Sequence, residues 1–188
     1  MADVDFRLSS EHSDVRDRAW AFARREILPT IREHDRDRVQ TRDLLDKLGR
    51  AGLLSVGLPR AYGGDGSDYL SLGLACESLE RADTSARVVL SVHNGLHCMT
   101  LLQWGTEEQK TRRLGPLARG ERVGGFGLTE SEAGSDAVNI RSTVTRDGDR
   151  YVLNGGKSWI SLAGLADTFL IIARQEWDDK HIALLVDR

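Results

Sequence analysis

Over the first two thirds of the chain, apolar positions recur with a helical period. In SSEHSDVRDRAWAFARREI, Val15, Ala19, Phe22 and Ala23 follow one another at steps of three and four. Ser9 and Ser10 stand where a cap is wanted, and Pro29 should end or kink that helix. RDLLDKLGRAG predicts a second helix, with Leu44, Leu45 and Leu48 on one face and Gly52 as its C-cap. LPRAYGGDGSD is rich in turn residues and reads as a loop. YLSLGLACESLERAD and SARVVLSVHNGLHCMTLLQWG are apolar on most sides, as helices deep in a bundle are. TEEQKTRRL opens with a capping box from Thr106 to Gln109 and carries Glu107 and Glu108 in its first turn. It is expected to end at Arg112 and Arg113, whose charges suit a helix C-terminus.

After about Gly120 the period changes. NIRSTVTR and RYVLNG flank Asp147-Gly148, a hairpin turn between β-prone runs. SWISLAG, DTFLIIAR and HIALLVDR read as further short strands. Helices come first and strands after, without alternation, which predicts an α+β chain and argues against a doubly wound sheet. The expected division is an all-α domain over residues 1–120 and a β domain over 121–188. The last strand is apolar and nothing closes it, so the chain reads as the front part of a longer one.

Composition narrows the function classes. The chain has 188 residues, 26 of them basic and 29 acidic, for a net charge of −3. That balance gives no footprint for nucleic acid or an anionic membrane. Cys76 and Cys98 lie far apart in helix-like surroundings, with no companion at metal spacing. They read as buried reduced thiols, not as a disulfide or zinc site. The charged N-terminus is unlike a signal peptide and no apolar run reaches membrane-spanning length, so a cytoplasmic protein is expected.

Two glycine-rich stretches invite a phosphate-binding reading, and both fail it. In GFGLTESEAGSD (125–136) the third glycine of a dinucleotide fingerprint is replaced by Glu130, and strands follow instead of a helix. In GGKS (155–158) the first glycine of a phosphate loop falls on Tyr151. Two readings of GFGLTESEAGSD remain: an ordinary polar turn, or a loop that meets an uncharged ligand through its backbone and the Thr129 hydroxyl.

GFGLTESEAGSD followed by DRYVLNGGKSWISLAG resembles the signature of the acyl-CoA dehydrogenase family and the strand after it. LPRAYGGDGSD, SVHNGL and WGTEEQK fall in the family's order and spacing, and the resemblance covers essentially all of the chain. It implies an N-terminal α domain, a partial middle β-barrel, and a C-terminal helical bundle that this chain lacks. It also implies FAD as cofactor, with the Leu128 main chain and Thr129 hydroxyl at the pyrimidine edge of the ring. Trp159 and Phe126 would lie against the flavin, and the Ser161 hydroxyl near N5. Ser135 would lie where pantetheine and the FAD phosphates pass, and Val92 at the end of the acyl pocket. The implied reaction is α,β-desaturation of an acyl-CoA or acyl-carrier thioester, with hydride to flavin N5 and an electron-transfer flavoprotein as acceptor. A homotetramer is the implied assembly. The catalytic glutamate is expected beyond Arg188, leaving this chain inactive alone.

Residue patterns leave other readings beside these. Trp159 could be strand core, Ser161 a surface hydroxyl, and Ser135 with Asp136 a turn. His93 and Asn94 read as a buried, satisfied polar pair. A monooxygenase or nitroalkane-oxidase relative shares the front motifs, and a non-catalytic split half would assemble with another chain. Asn139 stands where the family has a small residue, and Leu162 where many members have Asn.

Overall fold

The computed structural model describes residues 7–38 and 41–188. It divides into two compact units, Met1–Glu121 and Arg122–Arg188.

The first unit is helical. Helix α1 (Ser10–Phe22) starts at Ser9, whose hydroxyl accepts from the His12 amide at 3.2 Å. It widens into a π-type turn at Ala23–Ile27, and Val15, Ala19, Phe22 and Ala23 are all buried. Pro29 lies in the turn that follows, before α2 (Ile31–Asp37). Helix α3 (Arg42–Arg50) closes on Gly52, at φ +68°. There the Leu53 amide reaches Leu48 O and the Gly52 amide reaches Gly49 O, a Schellman closure that needs the left-handed residue. Helices α4 (Tyr69–Glu80) and α5 (Thr84–Leu90) are capped by Asp68 and Asp83. The chain then widens again at Ser91–Cys98 and runs on into α6 (Met99–Trp104). The core of this unit is leucine-rich: Leu45, Leu48, Leu53, Leu54, Leu58, Leu79, Leu90, Leu114 and Leu117 are fully enclosed.

Helix α7 (Glu107–Ala118) departs from expectation. The Thr106–Gln109 capping box forms, but the helix does not stop at Arg112 and Arg113. It runs through Pro116 to Ala118, and no basic residue lies in its last turn. Proline inside a helix costs about 3 kcal/mol, whereas burying a leucine contributes roughly 1.5–3 kcal/mol. With Leu114 and Leu117 both buried beside Pro116, packing outweighs the missing amide.

The second unit is a five-stranded mixed sheet around β4 (Thr168–Gln175). One edge of β4 pairs in parallel with β1 (Gly124–Gly127) and, further along, with the start of β2 (Thr143–Asp147). Its other edge pairs antiparallel with β5 (His181–Asp187). β2 forms a hairpin with β3 (Arg150–Asn154), closed by Gly148 and Asp149, with Gly148 at φ +61°. The loop therefore lies one residue beyond the Asp147-Gly148 pair that the sequence pointed to.

SWISLAG is not a strand. The β3 ladder stops at Asn154, and Trp159 and Leu162 take left-handed conformations at φ +59° and +63°. The amides of Ala163, Leu165 and Ala166 fold back onto the carbonyls of Ile160 and Leu162. Alternation of side chains cannot survive such a turn, so the apolar–polar pattern here did not report a strand.

Candidate functional site

GFGLTESEAGSD begins as β1, and the sheet explains its first two glycines. A Cβ on Gly125 would lie 2.8 Å from the Phe169 ring, and one on Gly127 would lie 2.6 Å from Ile171 Cδ1. These positions are small so that β4 side chains can cross the strand, not to admit a phosphate.

Just past β1 the backbone turns at Glu130, which exchanges amide and carbonyl bonds with Ala133. The Glu130 carboxylate is buried, and its Oε1 is 2.6 Å from Lys157 Nζ. It also accepts from the Ser142 amide at 2.9 Å and the Arg141 amide at 2.6 Å. Burial alone would raise its pKa. Hydrogen bonds from Lys157, Ser142 and the Arg141 amide outweigh that and hold it at about 2.

Lys157 also donates to Leu128 O at 3.0 Å, and the next amide, Ser158 N–H, donates to Thr129 O at 2.8 Å. These bonds bring the segment Leu128–Thr129 against the segment Lys157–Ser158. Trp159, the next residue, is 93% exposed. Leu128, Thr129 and Ser161 are half-buried, as is Phe126 on β1. The structure thus sets the Leu128–Thr129 segment beside the turn that carries the exposed Trp159 indole, while Ser161 lies two residues further along that turn and Phe126 two residues before Leu128 on β1. Uncharged donors beside a flat apolar ring suit a heteroaromatic group such as a flavin.

Ser135 is exposed in the loop beyond, next to Asp136. Asp136 lines a polar cleft of about 610 Å³ with Glu132, Asn139, Arg141, Arg174 and His181. Asn139 donates to the Asp136 carboxylate at 2.5 Å, so the departure at this position ties the loop to itself. Val92 belongs to the helical unit, half-buried in the widened turn Ser91–Cys98. In that turn His93 and Asn94 are fully buried and hydrogen-bonded to main-chain carbonyls. Cys98 is buried and Cys76 only half-buried, and both are free thiols.

The sequence reading missed the Glu130–Lys157 pair. A basic residue in a glycine turn, GGKS, and an acidic one in a glycine loop, TESEAG, were the available signal. Nothing local says that residues 27 positions apart meet.

Two family models match the chain: the acyl-CoA dehydrogenase N-terminal domain over residues 9–121 and the middle domain over residues 125–188. The chain belongs to the acyl-CoA dehydrogenase family. A short-chain specific acyl-CoA dehydrogenase of Clostridium acetobutylicum is 38% identical over 90% of this chain and 45% of its own length. A solved structure described as the electron transferring flavoprotein of Acidaminococcus fermentans superposes with a TM-score of 0.95 at 37% identity, covering 98% of this chain and 50% of that one. Glutaryl-CoA dehydrogenase from Mycobacterium smegmatis, in complex with FADH2, gives 0.89 at 32% identity, covering 96% and 46%. The chain spans about half the length of the relatives it matches. Among the described residues, no helix is long and apolar enough to cross a membrane.

Proposed function

We propose that this chain supplies the flavin edge of an FAD-dependent enzyme that desaturates an acyl thioester, carried on CoA or a carrier protein, between its α and β carbons. The observation that carries this reading is the Ser158–Thr129 hydrogen bond, which sets the Leu128–Thr129 edge next to the turn bearing exposed Trp159. Family membership and the FADH2 complex of a relative support it.

When bound, the flavin supplies the hydride acceptor. This chain's residues hold and orient it. The Leu128 main chain and Thr129 hydroxyl would hold the pyrimidine edge of the ring. Trp159 and Phe126 offer aromatic faces and Ser161 a hydroxyl for the N5 side. Ser135 serves the thioester's pantetheine arm and Val92 limits acyl length. Removal of the α proton needs a carboxylate base, and Glu130 is not it. A carboxylate buried, paired with Lys157 and held at about pKa 2 is too weakly basic for that task. We assign the base to a residue outside this chain, with the 188 residues inactive by themselves, and an electron-transfer flavoprotein as the acceptor. A cytoplasmic homo-oligomer is part of the same proposal.

Titration of FAD into the protein that carries this chain tests the reading. Trp159→Ala and Thr129→Val should each weaken binding about tenfold, as loss of one stacking or hydrogen-bonding contact does. Unchanged affinity in both variants removes the flavin from this site. The 188-residue chain alone should bind FAD more weakly than micromolar, and tighter binding would show that it holds the whole cofactor seat.

A further inference from the structure

We propose that Lys157 and Glu130 are positioning residues, a buried clip that sets the Leu128–Thr129 edge and the Trp159 turn at a fixed separation. The inference rests on the flavin reading above and assigns a role to two residues that touch no ligand in it.

The need for a clip follows from the sheet. β1 ends at Gly127 and β3 at Asn154, so both segments of the site begin where the strands end. Three bonds join them: Ser158 N–H to Thr129 O, Lys157 Nζ to Leu128 O, and Lys157 Nζ to Glu130 Oε1. Two of the three belong to one ammonium group. Its charge is 9% exposed and its partner carboxylate 7%, so neither can exchange this contact for water without opening the loop. Glu130 in turn accepts the amides of Arg141 and Ser142, anchoring the clip to the entry of β2. Three stretches of chain therefore meet at one ion pair: the end of β1, the end of β3 and the start of β2. Gly155 allows this approach. At φ +134°, a Cβ on it would lie 2.7 Å from Ser142 Cα. The Leu128 carbonyl that Lys157 holds belongs to the same peptide group as the Thr129 amide, so the ammonium fixes that peptide's plane.

The decisive variant is the double substitution Glu130→Gln with Lys157→Met. It removes both charges and leaves none buried alone, so the protein should fold, which far-UV circular dichroism checks. Hydrogen exchange on the flavin-free protein then reads the clip without the cofactor. The amides of Arg141, Ser142 and Ser158 should exchange at least tenfold faster than in the parent, and FAD should dissociate about tenfold faster. Lys157→Arg, which keeps the cation, should recover part of both effects. Unchanged exchange at these amides overturns the proposal. So does faster exchange with unchanged FAD dissociation when Trp159→Ala does weaken FAD, since the flavin site then stands without the clip. If neither Trp159→Ala nor the double variant alters FAD release, the flavin reading fails and the positioning role falls with it.

Discussion

Each unit of the molecule buries a polar cluster, and the two are opposite in kind. In the helical unit the cluster is neutral: the Asn94 amide donates to Leu53 O at 3.2 Å and Val56 O at 3.0 Å, and His93 Nε2 faces Leu117 O at 3.2 Å. In the sheet unit it is ionic, Glu130 taking two main-chain amides and Lys157. The difference follows from which backbone groups are left over. The apolar loop after α3, with Leu53, Leu54, Val56 and Leu58 all enclosed, offers carbonyls and calls for donors. The start of β2 offers amides and calls for an acceptor. Donors can be neutral side chains, and burial then keeps His93 uncharged: desolvation, with His97 nearby, lowers its pKa to about 3 against the Leu117 bond. A carboxylate that accepts two amides is stabilised as an anion, and the lysine completes it.

The sharpest break of this contrast is Lys157→Met. Removing the cation leaves Glu130 charged and enclosed, and breaking such a pair destabilises by roughly 3–5 kcal/mol. Urea unfolding of the chain should show that loss, and a loss below about 1 kcal/mol would mean that water reaches Glu130.

Acid separates the clusters next. The folded pKa of His93 lies below its ordinary 6.5, so the unfolded chain binds the proton first and stability falls as pH drops below 6.5. Between pH 6.5 and 5 the expected loss is about 2 kcal/mol. Glu130, lowered from 4.5 to about 2, contributes stability that is intact above pH 4.5 and lost as pH falls toward 2. Denaturant midpoints measured across pH should therefore begin to fall below pH 6.5, from His93 alone, and fall more steeply below pH 4.5, where both groups contribute. His93→Gln should flatten the stretch between pH 6.5 and 4.5 and leave the Glu130 part of the steeper fall below it in place.

The smallest effect concerns contacts local in sequence. Thr106→Ala deletes the α7 capping box and should cost about 1 kcal/mol, read as a small drop in Tm. If it matched Lys157→Met, the distinction between local caps and the long-range clip would not hold.

Local features were legible because their causes are local. The Ser9 and Thr106 caps, the Gly52 closure and the buried face of α1 all depend on residues within a few positions of one another. The helix-then-strand order was legible for the same reason, through a change of hydrophobic period. Where the reading failed, burial or backbone conformation had overridden a simple pattern rule. Pro116 stays helical because Leu114 and Leu117 are enclosed. SWISLAG alternates like a strand, yet Trp159 and Leu162 sit at positive φ in a turn.

The candidate site divides along the same line. Its proposed members, Phe126, Leu128, Thr129, Trp159 and Ser161, were named through resemblance to the family, since the residue pattern alone left an ordinary polar turn open. Sequence by itself removed the phosphate-loop readings of both glycine stretches. Tertiary structure decided what the glycines and the charges are for. Gly125 and Gly127 make room for Phe169 and Ile171 of β4. The acidic loop needs no lysine of its own because Lys157 arrives from the end of β3. Spacing along a chain reports only neighbours within a turn or two, whereas the free energy of a buried charge depends on what the fold brings to within 3 Å of it.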